Sequence, residues 1–515
     1  MNWTRTKFAA LVLVLATEPL SAQAAQSGAG EPLSAIDWLS DSVSFPPAVK
    51  VVPPIAPPAS PVPTVTVSTL GAPVADDAGL FPAEDIGLSE TLWGLSSASD
   101  LARALLAVPE ITTPTLRAYF ASLIQADFNP PVDAAVDNSL FLARLDTLLA
   151  LAKLDEAEAL IEAAGPPEPQ RFRRSFDIAL LKGTEAGACQ IISTNQDISP
   201  TFPTRIFCLA RNGEWDVAAL TLGTAEALGI LSNTEDQLLL HFLDPDLFEG
   251  EKLLPRPASI SPLLFRLYEA IGERPQTDAL PMAFGVADLS ETVGWRIRLR
   301  AAERLTAAGA LSAEGLLGVM SDRRPSASGG IWSRVAAIQA VRAALVDGNA
   351  AEISRTLPPA WDAAVSVGYH AALAPWIAEH IQTVTLQRRA HHTAFEIALF
   401  SNNIDMARQY AGSSADDQTL LAILTNSPFE IRNAAPLAIA VRRSLSGLAP
   451  SESYRMLVRE NRRGEALLKA IAVLAEGMDA DPNAIADALS LLMSFDLDIL
   501  ARRISAELLL EDSQI

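Results

Sequence analysis

Basic residues are scarce in this sequence. Its 39 lysines and arginines stand against 61 aspartates and glutamates, a formal charge of −22 over 515 residues. Such a surface repels phosphate backbones and anionic bilayers, which weighs against nucleic-acid binding. Aromatics make up only 6% of the chain. With Ala and Leu dominant and β-branched runs few, helices packed on small side chains are favoured over sheets. The five histidines, His241, His370, His380, His391 and His392, form no His-Glu-x-x-His pattern, and there is no Gly-x-Ser-x-Gly elbow or Walker loop. The nearest glycine loop, Ser326 to Gly330, lacks a lysine and a preceding strand. His392 and Glu396 lie one helical turn apart, but two ligands are too few for a metal, so a surface pair is the simpler reading. No cofactor or metal is expected.

Long hydrophobic runs are also missing. The stretch Phe8 to Ala16 is well short of the roughly 20 residues that span a bilayer, and Glu18-Pro19 interrupts it. With Arg5 and Lys7 ahead of it and Ala22-Gln23-Ala24 after it, residues 1–24 read as a signal peptide cleaved near Ala24. Loss of Arg5, Lys7 and Glu18, net +1, takes the charge from −22 to −23. A composition rich in Ala, Leu and Arg suggests a bacterial source and the periplasm. The only two cysteines, Cys189 and Cys208, then most simply form a disulfide worth roughly 3 kcal/mol, with two buried thiols as the alternative.

Residues 25–87 read as a disordered, Pro-rich tail. Pro46 to Pro63 holds eight prolines in 18 residues, which favours a polyproline II spacer. Thr64 to Leu70 alternates like a strand without an edge to pair with. Ahead of the spacer, the segment 33–45 carries Leu33, Ile36, Trp38, Leu39, Val43 and Phe45, too few apolar groups for a core. It suits a docking peptide for another protein, or it folds back on its own helical body, or it is disordered.

From residue 88 onward the periodicity is helical. Phe141, Leu145, Leu148, Leu149 and Ala152 form one stripe, Ala157, Leu160, Ile161 and Ala164 a second, and Asp155 with Glu158 suggests a capping box between them. Other helices are expected over 100–107, 113–126, 172–194, 203–212 and 263–271. Two short helices cannot bury both stripes alone, so they need neighbours of the same kind. Similar turns precede Asp216, Asn349, Asp405, Gly464 and Asp498 without a strict period. Prolines at 245, 255, 257, 262, 275 and 281 suggest a connection over 251–282 between helical segments 88–250 and 283–511, with a bend or hinge. The expected fold is all-α, an irregular α-solenoid or superhelix of antiparallel helix pairs.

The turns Ala152-Lys153-Leu154-Asp155-Glu156-Ala157 and Arg211-Asn212-Gly213-Glu214-Trp215-Asp216-Val217-Ala218 resemble those between the helices of tetratricopeptide-type repeats. In an exported chain, the architecture is also similar to the superhelical, non-catalytic part of periplasmic soluble lytic transglycosylases. The tryptophan, glycine and tyrosine pattern of a 34-residue tetratricopeptide unit is not kept. The resemblance implies a groove that holds other proteins rather than a catalyst.

A transglycosylase would need a Glu-Ser pair followed by Asn-Pro and Gly-Leu-Met-Gln segments. Glu452-Ser453 is followed by neither and suits a helix start. A sharper anomaly is the basic row Arg296, Arg300 and Arg304, with Arg298 beside it and Arg323-Arg324 in the next loop. Like charges one turn apart repel. Either Glu303, Asp322 and acids on adjacent helices neutralise them, or Arg300, Arg323 and Arg324 meet an acidic partner or an anionic wall polymer, with Trp295 and Trp332 as anchors. The expectation is a non-enzymatic periplasmic scaffold binding other cell-envelope proteins, in wall remodelling or as a flagellar motor accessory. The alternatives are a peptidoglycan-associated, transglycosylase-like protein or its regulator, and a carrier of a small hydrophobic ligand. A fold dominated by a sheet, or by a compact pocket with converging acids, would end the scaffold reading.

Overall fold

The computed structural model describes residues 36–44, 75–134, 138–250, 252–429 and 435–512. The described chain is all-α. Its strands are β1 (Phe81–Pro82) and β2 (Ala126–Asp127), two residues each and parallel, and one bridge joins Val43 to Pro200. No described helix is long and apolar enough to cross a membrane. Residues 1–24, read as a signal peptide, and Leu33, Phe45, the proline spacer and Thr64 to Leu70 lie outside the described residues.

The first helices are α1 (Ala98–Leu106), α2 (Pro114–Gln125), α3 (Ser139–Ala150), α4 (Leu154–Ala163), α5 (Pro169–Lys182) and α6 (Glu185–Thr194). Then come α7 (Phe202–Arg211), α8 (Trp215–Ala227), α9 (Asn233–Leu243) and α10 (Pro262–Ala270). A 3-10 segment, Met282–Leu289, leads to α11 (Trp295–Ala307), α12 (Ala313–Ser321), α13 (Gly330–Asp347), α14 (Ala350–Val365), α15 (His370–Ile381) and α16 (Arg389–Phe400). The last are α17 (Ile404–Tyr410), α18 (Ala415–Leu424), α19 (Pro436–Leu445), α20 (Glu452–Arg459), α21 (Arg463–Ala475), α22 (Pro482–Ser494) and α23 (Asp498–Asp512). The helical stretch expected over 172–194 is two helices, because Gly183 turns left-handed at φ 74° and ends α5.

The recurring turn has a physical signature. Ala152, Gly213, Asn402, Asn461 and Asp496 all have φ between 57° and 83°. After each, the next amide donates to the carbonyl five residues back: Lys153 to Leu148 at 2.8 Å, Glu214 to Leu209 at 2.9 Å, Asn403 to Ala398 at 3.2 Å, Arg462 to Leu457 at 2.8 Å and Leu497 to Leu492 at 3.0 Å. These are Schellman closures, which satisfy the last carbonyls of the outgoing helix. The capping box expected at Asp155 and Glu158 is not formed. Lys153 occupies the cap position, and both carboxylates reach Lys182 on α5 instead, at 2.7 and 2.6 Å.

The division into segments 88–250 and 283–511 does not follow the cores. The larger core joins α1 to α4 with residues 260–508, through side chains such as Leu101, Leu145, Phe284, Leu305, Ile377 and Leu489. The smaller core gathers Phe172, Phe176, Phe207, Leu238 and Tyr268 around Cys189 and Cys208, which form a disulfide between α6 and α7. Helix α5 serves both, with Ile178 and Leu181 on the larger side. The Pro-rich connection is packed rather than hinged: Pro262 opens α10, and Phe265 meets Phe284 edge-on at 5.6 Å. The ends of the chain meet, since α1 packs on α21 and α2 on α23.

Of the tail expected over 25–87, the described residues 36–44 and 75–87 are packed. Residues 75–87 pack on the larger core through Ala75 and Ala83, and 36–44 forms a strap. Ile36 and Leu39 are buried, and Trp38 meets Phe284 edge-on at 5.4 Å. These three docking candidates are therefore engaged within the molecule. Strap backbone groups complete the fit: the Ser40 amide donates to Asp177 at 2.8 Å, Arg173 Nε donates to the Ser40 carbonyl at 2.8 Å, and the Ser44 amide donates to Ser199 at 2.7 Å.

Candidate functional site

Where the N-terminal helices meet the C-terminal ones, a cavity of about 730 Å³ opens to the surface. Pro114 at the first position of α2 sets that helix so that Arg117 falls one turn in, beside Glu110 of the preceding loop. Helix α11 contributes Arg300, Glu303 and Arg304, which share a face through their three- and four-residue spacing. Trp361 comes from α14, His370 from the start of α15 after a turn at Gly368, Glu396 and Phe400 from α16, and Glu511 from α23.

Most of these charges are paired. Arg300 meets Asp278 at 2.5 Å, Arg304 donates to the Thr277 carbonyl at 2.9 Å and lies 3.9 Å from Asp278, and Arg334 grips Glu303 with two bonds of 2.7 and 2.6 Å. Glu396 accepts from Trp361 Nε1 at 2.6 Å and lies 3.4 Å from His392. Burial pushes the carboxyls of Glu396 and Glu511 up. Burial, aided by the Arg117 charge, pushes His370 down to about 4, so its ring is neutral near pH 7. Trp361, His370 and Phe400 form an aromatic wall, with ring centroids at 5.5 Å for Trp361 and His370 and at 4.7 Å for His370 and Phe400. Acids do converge here, as in the pocket that would end the scaffold reading, but Asp278, Glu303 and Glu396 are engaged by neighbouring side chains.

The basic row expected at a partner surface divides. Arg298 meets Asp322 at 2.7 Å and Arg300 turns to Asp278 and the cavity, so Arg300 does not join the Arg323 edge. Trp295 and Trp332 lie 5.3 Å apart, half-buried against the core, and Trp295 Nε1 donates to the Val319 carbonyl at 2.8 Å. Gln339 donates to the carbonyls of Met320 and Arg323 at 2.7 and 2.8 Å. The end of α12 is thus held from both sides, and Arg323 and Arg324 beyond it are exposed with no carboxylate in ion-pair reach among the described residues.

Glu452 is exposed at the start of α20, where hydrogen bonds from Arg459 and then Arg455 hold its carboxyl below the usual range, opposite to what a general acid needs. Among the described residues, no three His, Cys, Asp or Glu side chains are grouped to hold a metal. Sequence reasoning missed Arg117 and the aromatic wall. Arg117 looked like any polar position of an amphipathic helix, and Trp361, His370 and Phe400 are brought together only by the α14–α15–α16 packing. No family model, curated protein or solved structure matches this chain.

Proposed function

We propose that this chain is an exported, non-enzymatic helical scaffold that holds another cell-envelope component, acting in the periplasm in wall remodelling or beside a flagellar motor. The observation that carries the proposal is the contrast among its arginines. Arg298, Arg300, Arg304 and Arg334 each meet a carboxylate, whereas Arg323 and Arg324, like Arg296 at the start of α11, meet none among the described residues of a strongly acidic protein. Held by water alone, the charges of Arg323 and Arg324 are available to an acidic protein surface or an anionic wall polymer. The Schellman-closed helix pairs suit the resemblance to tetratricopeptide-type repeats and to the superhelix of soluble lytic transglycosylases, both of which present side chains along a surface.

A photo-crosslinking residue at position 332, in chains with and without Arg323→Glu and Arg324→Glu, tests this. The expected outcome is a discrete crosslinked species in the wild type that disappears in the double variant while the helical circular dichroism is unchanged. The same species at equal yield in both would overturn the proposal. A wall hydrolase is the second reading, favoured by Glu396 and Glu511, whose raised carboxyls share one cavity. Release of soluble fragments from purified peptidoglycan, lost on Glu511→Gln, would support it instead. A hydrophobic-ligand carrier fits poorly, because the cavity is lined by four arginines and five carboxylates.

A further inference from the structure

We propose that the cavity between the start of α2 and helices α11, α14, α15 and α16 is a binding site for a small monocarboxylate with an apolar, ring-sized body, its acid group held by Arg117 and its body laid against Trp361, His370 and Phe400. The proposal goes beyond the scaffold reading and is independent of the Arg323 edge.

Arg117 is the exception among the cavity's arginines. It is half-buried, yet it makes no hydrogen bond and no ion pair among the described residues. The carboxylates that act on it from a distance are Glu110 and Glu507, and Glu507 is already engaged by the amide of Thr115 at 3.0 Å and by the Thr115 hydroxyl. Taking a guanidinium partly out of water without a partner costs stability, and the loss is recovered when an oxyanion arrives with two acceptors for its planar fork.

The neighbouring wall selects the rest of the ligand. Trp361, His370 and Phe400 are in mutual ring contact, and Trp361 and Phe400 lie 6.1 Å apart. With the His370 ring neutral, this side of the cavity presents apolar, polarisable faces of the kind that hold an aromatic or cyclic group. A volume of about 730 Å³ suits a molecule of drug size rather than a lone ion. The carboxylates Glu110, Asp278, Glu303, Glu396 and Glu511 around the same space act against multiply charged anions. A single negative charge on a compact apolar body satisfies all three constraints, and a phosphate or nucleotide does not.

Titration of the full chain with phenylacetate, followed by saturation-transfer NMR and calorimetry, tests the proposal, with phenethylamine and inorganic phosphate as the other probes. The wild type is expected to bind phenylacetate in preference to both. Arg117→Gln should weaken that binding by roughly tenfold or more, the loss of one charge-assisted bidentate contact. Arg117→Lys should retain part of it, and Arg323→Glu with Arg324→Glu none of the loss. The ligand-free Arg117→Gln protein should melt no lower than the wild type, because the arginine it removes has no partner to lose. Failure of the wild type to bind phenylacetate, preference for phosphate or phenethylamine, equal affinity in Arg117→Gln, or a marked fall in its ligand-free melting temperature would each overturn the assignment. The last would give Arg117 a structural role.

Discussion

Arg174 and Asp146 meet fork to carboxylate, Nε to Oδ1 at 2.5 Å and Nη2 to Oδ2 at 2.9 Å, and neither side chain reaches solvent. The pair bolts α5 to α3 at the junction of the two cores. Such a pair adds little net stability over well-packed apolar groups, but breaking it leaves a charge stranded in the interior. Asp146→Ala is therefore expected to cost about 3–5 kcal/mol, and the joint change Asp146→Leu with Arg174→Met to recover much of it. Urea unfolding of the wild type and the two variants checks this. A double variant as unstable as the single would show that the pair contributes more than its charge balance.

Ala152 holds φ 57° at the close of α3, in the backbone region that an alanine side chain disfavours. Glycine occupies the equivalent site at 213 without that penalty. Ala152→Gly is expected to stabilise the chain by about 0.5–1 kcal/mol, somewhat offset because the alanine methyl is buried. The change is read as a shift of the denaturation midpoint at constant slope. A loss of more than about 1 kcal/mol would mean that packing of the methyl outweighs backbone strain.

These two sites show how far the residues alone could lead. The apolar stripes of α3 and α4 are local, and so the helix pair was legible. The cap was not, because Asp155 and Glu158 imitate a capping box, while the true closure is a left-handed alanine that carries no glycine to mark it. The strap was ambiguous because its partners, Arg173 and Asp177, lie more than a hundred residues away and bind its backbone as well as its side chains. Arg300 stood out within its basic row. Arg117 did not, since its distinction is the lack of a partner, a property of the closed chain and not of any spacing.

Asp177 accepts the Ser40 amide at 2.8 Å in full burial, and burial pushes its carboxyl up to about 7, against the hydrogen bonds from Ser40. The folded state therefore holds a proton that the unfolded chain releases near pH 4, so this residue's contribution to stability is fully present below about pH 4 and lost as pH rises through about 7. Asp177→Asn keeps an acceptor for Ser40 but cannot titrate. Thermal melts across that window should fall more steeply with pH in the wild type than in the variant. Parallel curves would place the titrating group elsewhere.

Gly464 lies where the two ends of the chain are sewn together. Its amide donates to the Leu92 carbonyl at 3.0 Å, and three residues earlier the Asn461 carbonyl accepts from Leu95 at 2.8 Å. A Cβ added at Gly464 would come within 2.4 Å of Cε3 and 2.8 Å of Cζ3 of Trp93, a buried ring packed on Phe128 at 4.9 Å. Neither the ring nor the backbone beside it can give way cheaply, so Gly464→Ala is expected to cost about 1–3 kcal/mol by overpacking. Trp93→Leu removes the obstructing atoms, at its own cost in burial, and should shrink the additional effect of Gly464→Ala to a few tenths of a kcal/mol in a double-mutant cycle. If the alanine costs as much beside Leu as beside Trp, the glycine is required by the Leu92 contact itself. In either case native-state hydrogen exchange should show α1 and α21 opening together in Gly464→Ala, because the two helices pack on each other.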